Sequence, residues 1–328
     1  MVKETWVIQP GSLPLWVHPV FGRDIREIAG CADTIYEYAS EHEIHPYADS
    51  EIFKDTIKII HDHGLRIIVS IGTGGRFSAI NPSTWHFGHP ETWFRLPPDL
   101  ANTTDHYFRR REVSCVNNPK FLKYTKQYYS DLLDNYDIDG IGFDEPREVP
   151  CVCKYCQKRF EELNHRKMSG RGDEENLRFQ AESLSEYIAM ISDMAKQKGV
   201  FSASVTYLQP KEAYFHKLLA EIKSIDYFGI DPYWMFNKPV TFVAEMTKEA
   251  REICDKNKKL LWVVIQNFHV PSGRESEIYE AGRLAAENGA DVLCGFTHWR
   301  ATQNPELTWD TTHRMLIDFG PERRSGKR

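Results

Sequence analysis

The stretch IDGIGFDEPREVPCVCKYCQKRF, residues 138–160, governs how the rest of the chain is read. It opens as an apolar run that ends in Asp144 and Glu145 and is closed off by Pro146. A buried parallel strand delivers acids in this way, to a site at its C-terminal end. Shortly after Glu145 comes Cys151-Val-Cys153-Lys-Tyr-Cys156, three of the seven cysteines of the chain in one window. One strand–loop unit therefore carries both a candidate catalytic centre and a candidate metal centre.

On either side of this unit, short apolar runs alternate with longer stretches of helical period, the pattern of repeated βα units around a parallel sheet. The runs fall at 5–9, 33–38, 66–72, 138–144, 201–207, 225–231, 260–267 and 291–299. Helices are expected at 51–63, 119–135, 174–197, 211–223, 239–256 and 275–288. In the second of these Asn118 suits the N-cap, Pro119 the first helical position, and Phe121, Tyr124, Tyr128 and Leu132 recur on one face. Eight runs predict an α/β fold closed as a (β/α)8 barrel. No linker divides the chain, so residues 1–320 read as one barrel and 321–328 as a flexible basic tail.

Two connections depart from the regular pattern. The segment 73–114, after the third strand, is too long for an ordinary βα loop and carries Trp85, His86, Phe87, His89, Trp93, Phe94, His106 and Arg109–Arg111. Aromatics interleaved with polar groups suit sugar rings, and they suit equally a loop packed by its own aromatics. The other is the Cys-rich loop after the fourth strand. Cys115 precedes the helix at 119, which runs from the top of the barrel to its bottom before strand four returns, so Cys115 and the Cys151 loop meet at one end. Cys115, Cys151, Cys153 and Cys156 thus offer four thiolates to one tetrahedral, structural zinc. Cys31, Cys254 and Cys294 show no grouping and read as core.

Composition narrows the function classes. A net charge of −6 and a pI near 6.1 give no general attraction to nucleic acid or acidic membranes. The sequence start has no apolar signal core, and no segment has the uncharged length that spans a bilayer. The expected setting is the cytoplasm, where cysteines stay reduced or bind metal. Nothing in the sequence excludes a homo-oligomer.

A Cys before a helix, an acidic strand-four end, C-x-C-x-x-C and then Phe160 together resemble the catalytic barrel of the family 42 β-galactosidases. The stretch ENGADVLCGFTHWR, residues 287–300, is similar to that family's last strand. The resemblance implies a zinc site on these cysteines, a glycosidase activity, and an acid/base at Glu145. It also implies a glutamate nucleophile at the end of strand seven, where this chain has Gln266 in WVVIQNF. An engineered Glu→Gln trap, a lost activity or a different catalytic pair would each account for that departure.

The third explanation is preferred, because DGIGFDEP also resembles the strand-four end of α-retaining barrel glycosidases. On that reading Asp144 is the nucleophile, Asp231 in FGIDPYW the acid/base, and Glu145 binds sugar hydroxyls. The bland reading of Asp144 and Glu145 is a strand end paired with Arg147. Substrate contacts are expected from Trp85, His86, Tyr233, Trp234, Gln266, His298, Trp299 and Arg300. The expected activity is hydrolysis of a small glycoside or oligosaccharide. A sugar isomerase, epimerase or lyase and an inactive carbohydrate-binding barrel remain the alternatives, since fold does not fix chemistry. Glu37, near the end of strand two, is a further candidate carboxylate.

Overall fold

A computed structural model describes residues 1–9, 24–39, 50–71, 84–102, 114–208, 213–296 and 302–321. Eight parallel strands close into a barrel in sequential order: β1 (Glu4–Gln9), β2 (Thr34–Ala39), β3 (Arg66–Ile71), β4 (Gly140–Asp144), β5 (Phe201–Thr206), β6 (Tyr227–Ile230), β7 (Leu260–Val264) and β8 (Val292–Phe296). The described helices are α1 (Ile25–Cys31), α2 (Ser50–Asp62), α3 (Thr84–Gly88), α4 (Pro119–Asn135), α5 (Lys154–Asn164), α6 (Glu174–Gln197), α7 (Ala213–Glu221), α8 (Phe242–Asn257), α9 (Ser276–Glu287) and α10 (Pro305–Phe319). All eight expected strands form. Helices α1, α3, α5 and α10 go beyond the sequence expectation: α1 and α3 are only 7 and 5 residues long, the C-x-C-x-x-C reading masked α5, and α10 follows the last expected strand.

Local signals set the helix starts. Asn118 Oδ1 accepts a hydrogen bond from the Lys120 amide at 3.0 Å, and Asp173 caps α6 by accepting from the Asn176 amide, also at 3.0 Å. Strand alternation then sorts side chains into two layers. Val7, Ile35, Ile67, Val69 and Ile141 face the helices, whereas Trp6, Ile8, Tyr36, Ile68, Ala203, Val205, Trp262, Val264 and Cys294 fill the lumen. Register pairs Asp144 with Val205, so Asp144 lies on the lumen side at the top of β4. Glu37 alternates with lumen-facing Tyr36 and shares the helix-facing side of its paired neighbour Val69, which separates it from the carboxylates of the barrel mouth.

The lower lumen is plugged. Glu4 accepts from Arg66 at 2.6 Å, from the Trp6 indole at 2.9 Å and from the Tyr227 hydroxyl at 3.2 Å. Above this plug Trp262 and Tyr36 stack with ring centroids 5.6 Å apart. Two glycines make room for them. A Cβ on Gly142 would stand 2.3 Å from the Tyr36 hydroxyl, and one on Gly229 would stand 2.0 Å from Trp262 Nε1. Trp262 cannot easily yield, since Nε1 donates to the buried Ser204 carbonyl at 3.1 Å. Gly229→Ala is therefore expected to cost about 3 kcal/mol, near the top of the range for overpacking, with urea unfolding as the check. A variant as stable as the parent would contradict this packing account.

Candidate active site and metal centre

The mouth of the barrel collects carboxyl groups from β4 and β6. Asp144 ends β4 on the lumen side, and Asp231 continues the lumen-facing row of Tyr227 and Gly229. Strict alternation would turn Glu145 away from Asp144. Instead the strand stops, and Glu145 takes φ +38°, a left-handed conformation that re-aims its side chain toward the mouth. There its carboxylate lies 3.8 Å from the buried Arg147 guanidinium and within hydrogen-bonding reach of Asp231. A residue held at positive φ without being glycine stores strain, and such strain gathers at functional sites.

Asp231 is only 2% exposed, and its Oδ1 has no hydrogen-bond partner among the described residues. Burial first, then the neighbouring Glu145, hold its carboxyl well above the ordinary aspartate value; Asp144 pushes the same way and Arg147 opposes. Burial likewise raises the phenol of Tyr233, with Asp231, Glu145 and Asp144 adding to it. Tyr207, immediately after β5, is raised by burial and by Asp231 and Glu145 while Arg147 lowers it. From below, the Tyr36 phenol is raised by burial and then by Asp144. Asp231, Glu145 and Asp144 thus act on one another and on the surrounding tyrosines at this end of the barrel. A buried carboxyl of raised pKa opposite a more exposed one is the arrangement that separates a proton donor from a nucleophile.

The raised Asp231 has a consequence for stability. Below its ordinary value of 3.8 both folded and unfolded forms carry the proton. As pH rises past that value the unfolded chain releases it while the folded chain retains it, so the group costs stability progressively above pH 4. Asp231→Asn is accordingly expected to be more stable than the parent at pH 7 and indistinguishable from it near pH 3.5, compared by denaturant midpoints. Equal stability at pH 7 would contradict the burial assigned to this carboxyl.

The expected substrate contacts separate into distinct groups. Tyr233 lies beside Asp231, its amide bonded to the Asp231 carbonyl at 2.8 Å. Trp85, His86, Trp234 and Gln266 are not placed as substrate contacts. Trp85 has Tyr124 stacked at 4.0 Å and His89 at 4.2 Å, so its ring is built into the packing against α4. His86 is buried beside Phe121, and burial lowers its imidazole to about 4. Trp234 is fully buried with its indole donating to Glu277 at 3.0 Å. Gln266 reaches the lumen side of β7 but its amide is spent on backbone: Oε1 accepts from Met235 N at 3.0 Å and Nε2 donates to the Phe268 carbonyl at 3.2 Å. His298, Trp299 and Arg300 lie outside the described residues, as do His106 and Arg109–Arg111. Tyr36 and Tyr207 were missed, although Tyr36 occupies an inward position on β2 and Tyr207 follows β5 directly.

The four cysteines come together. Cys115, Cys151, Cys153 and Cys156 are all buried, their sulfurs lie within 4.8 Å of one another, and no disulfide joins them. Cys115 Sγ is 3.3 Å from Cys156 Sγ and 3.6 Å from Cys153 Sγ. A tetrahedral metal–thiolate site with bonds of about 2.3 Å spaces its sulfurs about 3.8 Å apart, so the cluster fits one mononuclear ion. Cys153 caps α5 and Cys156 sits in its first turn, where the helix dipole favours anionic sulfur. Hydrogen bonds from Cys115, then Cys151 and Cys156, push the Cys153 thiol far down.

Buried amides complete the cluster. Asn117 Nδ2 and Gln180 Nε2 point at Cys156 Sγ at 3.4 and 3.5 Å, and Arg95 N points at Cys151 Sγ at 3.3 Å. The Asn117 amide is oriented by Arg159, which donates to its oxygen at 2.8 Å. N–H groups placed in this way around a metal site fix the ligands and spread their charge. The cluster also ties the segment after β3 to the loop after β4, with Val152 N bonded to the Arg95 carbonyl at 2.8 Å.

These features define the class: a closed parallel barrel with its acids at the C-terminal mouth and a four-cysteine centre on the rim. No protein-family model matches the chain, and comparison with curated protein sequences finds no match. Among solved structures the chain is similar to alpha-L-fucosidase isoenzyme 2 from Paenibacillus thiaminolyticus, at 16% identity and TM-score 0.62 over 96% of this chain and 49% of that one. It thus spans about half the length of the fucosidase. It is also similar to the PgaB (BpsB) glycoside hydrolase domain from Bordetella bronchiseptica, at 9% identity and TM-score 0.64 over 98% of this chain and 100% of that one. The catalytic domain of a beta-amylase from Paenibacillus polymyxa follows, at 10% identity and TM-score 0.58 over 95% of each chain. At these identities the likeness is one of fold.

Proposed function

We propose that this barrel is a glycoside hydrolase acting on a small glycoside or oligosaccharide by a retaining mechanism. The observation that carries the proposal is the convergence of Asp144 and Glu145 from β4 on the buried, proton-holding Asp231 from β6. Glycoside cleavage needs two carboxyl groups in different protonation states, one to protonate the leaving oxygen and one to meet the anomeric carbon. Asp231 supplies the proton and then, ionised, draws a proton from water; Asp144 attacks the anomeric carbon; Glu145, beside Arg147, accepts hydrogen bonds from sugar hydroxyls. The glycosidase names borne by barrels of like fold support the same reading.

The four-cysteine centre is proposed to hold one structural zinc, since four protein thiolates close the coordination shell and leave no position for substrate. Zinc there would hold the loop that carries Glu145 and Arg147, and no chemical step passes through it. The seven cysteines form no disulfide, which fits a reducing compartment such as the cytoplasm.

Incubation with a panel of aryl α- and β-glycosides tests the function. Turnover of one anomer with retention at the anomeric carbon is the expected outcome. Sugar binding without turnover would instead favour a carbohydrate-binding barrel, and interconversion of free sugars an isomerase or epimerase.

A further inference from the structure

The loops after β6 and β7 present an aromatic wall that no step above uses. It begins at Tyr233, next to Asp231, whose ring meets Phe268 edge-on with centroids 4.9 Å apart. Phe268 in turn lies 5.5 Å from the His269 ring and 6.3 Å from Phe236, and Phe236 lies 5.8 Å from His269. Exposure rises along this series, from Asp231 at 2%, through the partly buried Tyr233 and Phe268, to the exposed His269 and to Phe236 at 54%. The wall therefore leads outward from the buried proton donor into solvent.

It is also fixed in place. Gln266 grips the first loop through Met235 N and the second through the Phe268 carbonyl. His269 and Asn237, at φ +54° and +68°, take the left-handed turns that present this face. A large exposed aromatic held on a rigid loop beside a catalytic acid is a stacking surface, because ring faces bind the C–H faces of sugars and other rings.

Resting on the hydrolase reading, we infer that Phe236, Phe268 and His269 form the leaving-group subsite, and that the preferred substrate carries a ring, either a second sugar or an aryl group, on the departing oxygen. The side of the scissile bond is set by Asp231. The group that protonates the leaving oxygen stands on the leaving-group side, and among the described residues the wall begins at Tyr233, beside Asp231 in the loop after β6.

Saturation-transfer NMR with phenyl and methyl glycosides of glucose, galactose, mannose, fucose and N-acetylglucosamine tests binding without requiring turnover. The expected result is saturation of the phenyl ring in the parent protein, loss of that signal in Phe236→Ala and its return in Phe236→Trp. For any sugar that is hydrolysed, Phe236→Ala is expected to lower kcat/KM about tenfold for the phenyl glycoside and to leave the glycosyl fluoride, whose leaving group has no ring, unchanged. Phenyl saturation that persists in Phe236→Ala, an equal loss on both substrates, or no saturation of any phenyl glycoside overturns the subsite. Phe236-dependent phenyl binding in a protein that hydrolyses nothing upholds the ring-binding wall and overturns the hydrolase reading, and with it the assignment of the wall to a leaving group.

Discussion

Asp144→Asn is expected to reduce turnover of the best aryl glycoside to the background rate while leaving the barrel folded. The side chain ends β4 on the lumen side, above Tyr36 and Gly142, and an isosteric amide fills the same space. An amide cannot form the covalent glycosyl-enzyme, so no partial pathway survives for a substrate that depends on attack by this residue. The companion change Asp231→Asn removes general acid catalysis, a loss of about 10²–10⁴-fold that should shrink for substrates with good leaving groups. The parent's activity should fall on the alkaline side as Asp231 loses its proton, at a pH above that of an ordinary aspartate because burial and Glu145 raise it. Initial rates on a fluoride and on a phenyl glycoside across pH 4–9 measure all three effects. A kcat of Asp144→Asn within tenfold of the parent would remove Asp144 from the mechanism.

Removal of the metal is expected to have the largest effect on stability. Protein purified without added zinc should carry about one equivalent, and Cys156→Ser should carry less than half of one. Cys156 is the sulfur that Asn117 and Gln180 both face, and it lies 3.3 Å from Cys115, so its loss opens the shell at its most constrained corner. If the site contributes about 5 kcal/mol of linked folding energy, the variant's Tm should drop by about 7 °C in a chain of this size. Gln180→Leu should retain the metal but bind it about 10–100-fold more weakly, measured by competition with a chromogenic chelator. Metal content below half an equivalent in the parent, with all four thiols freely titratable in the native state, would contradict the zinc assignment.

The barrel was legible because parallel strands buried on both faces read as apolar runs, and every such run in this chain became a strand. The four-cysteine cluster was legible for a topological reason: α4 carries the chain down and β4 returns it, so Cys115 and the C-x-C-x-x-C window had to meet. Much of the aromatic site was not. Composition cannot distinguish a ring that stacks on substrate from one that stacks on its neighbours, and Trp85 has Tyr124 and His89 on it. Trp234 is adjacent in sequence to Tyr233, yet the turn at Asp231–Tyr233 sends one toward the mouth and the other into the core against Glu277. Glu145 carried the opposite difficulty: alternation predicts that it points away from the lumen, and only the positive φ, invisible in sequence, restores it. Gln266 looked like a missing nucleophile; its amide is a two-sided clamp, needing both an acceptor and a donor, which a carboxylate cannot provide.

Azide rescue of the alanine variants on an activated aryl glycoside tests whether Asp144 and Asp231, rather than Glu145, carry the chemistry. With azide, Asp144→Ala is expected to give a glycosyl azide of inverted anomeric configuration, Asp231→Ala one of retained configuration, and Glu145→Ala none. Rescue confined to Glu145→Ala, with Asp144→Ala and Asp231→Ala still turning over substrate without azide, would contradict that assignment.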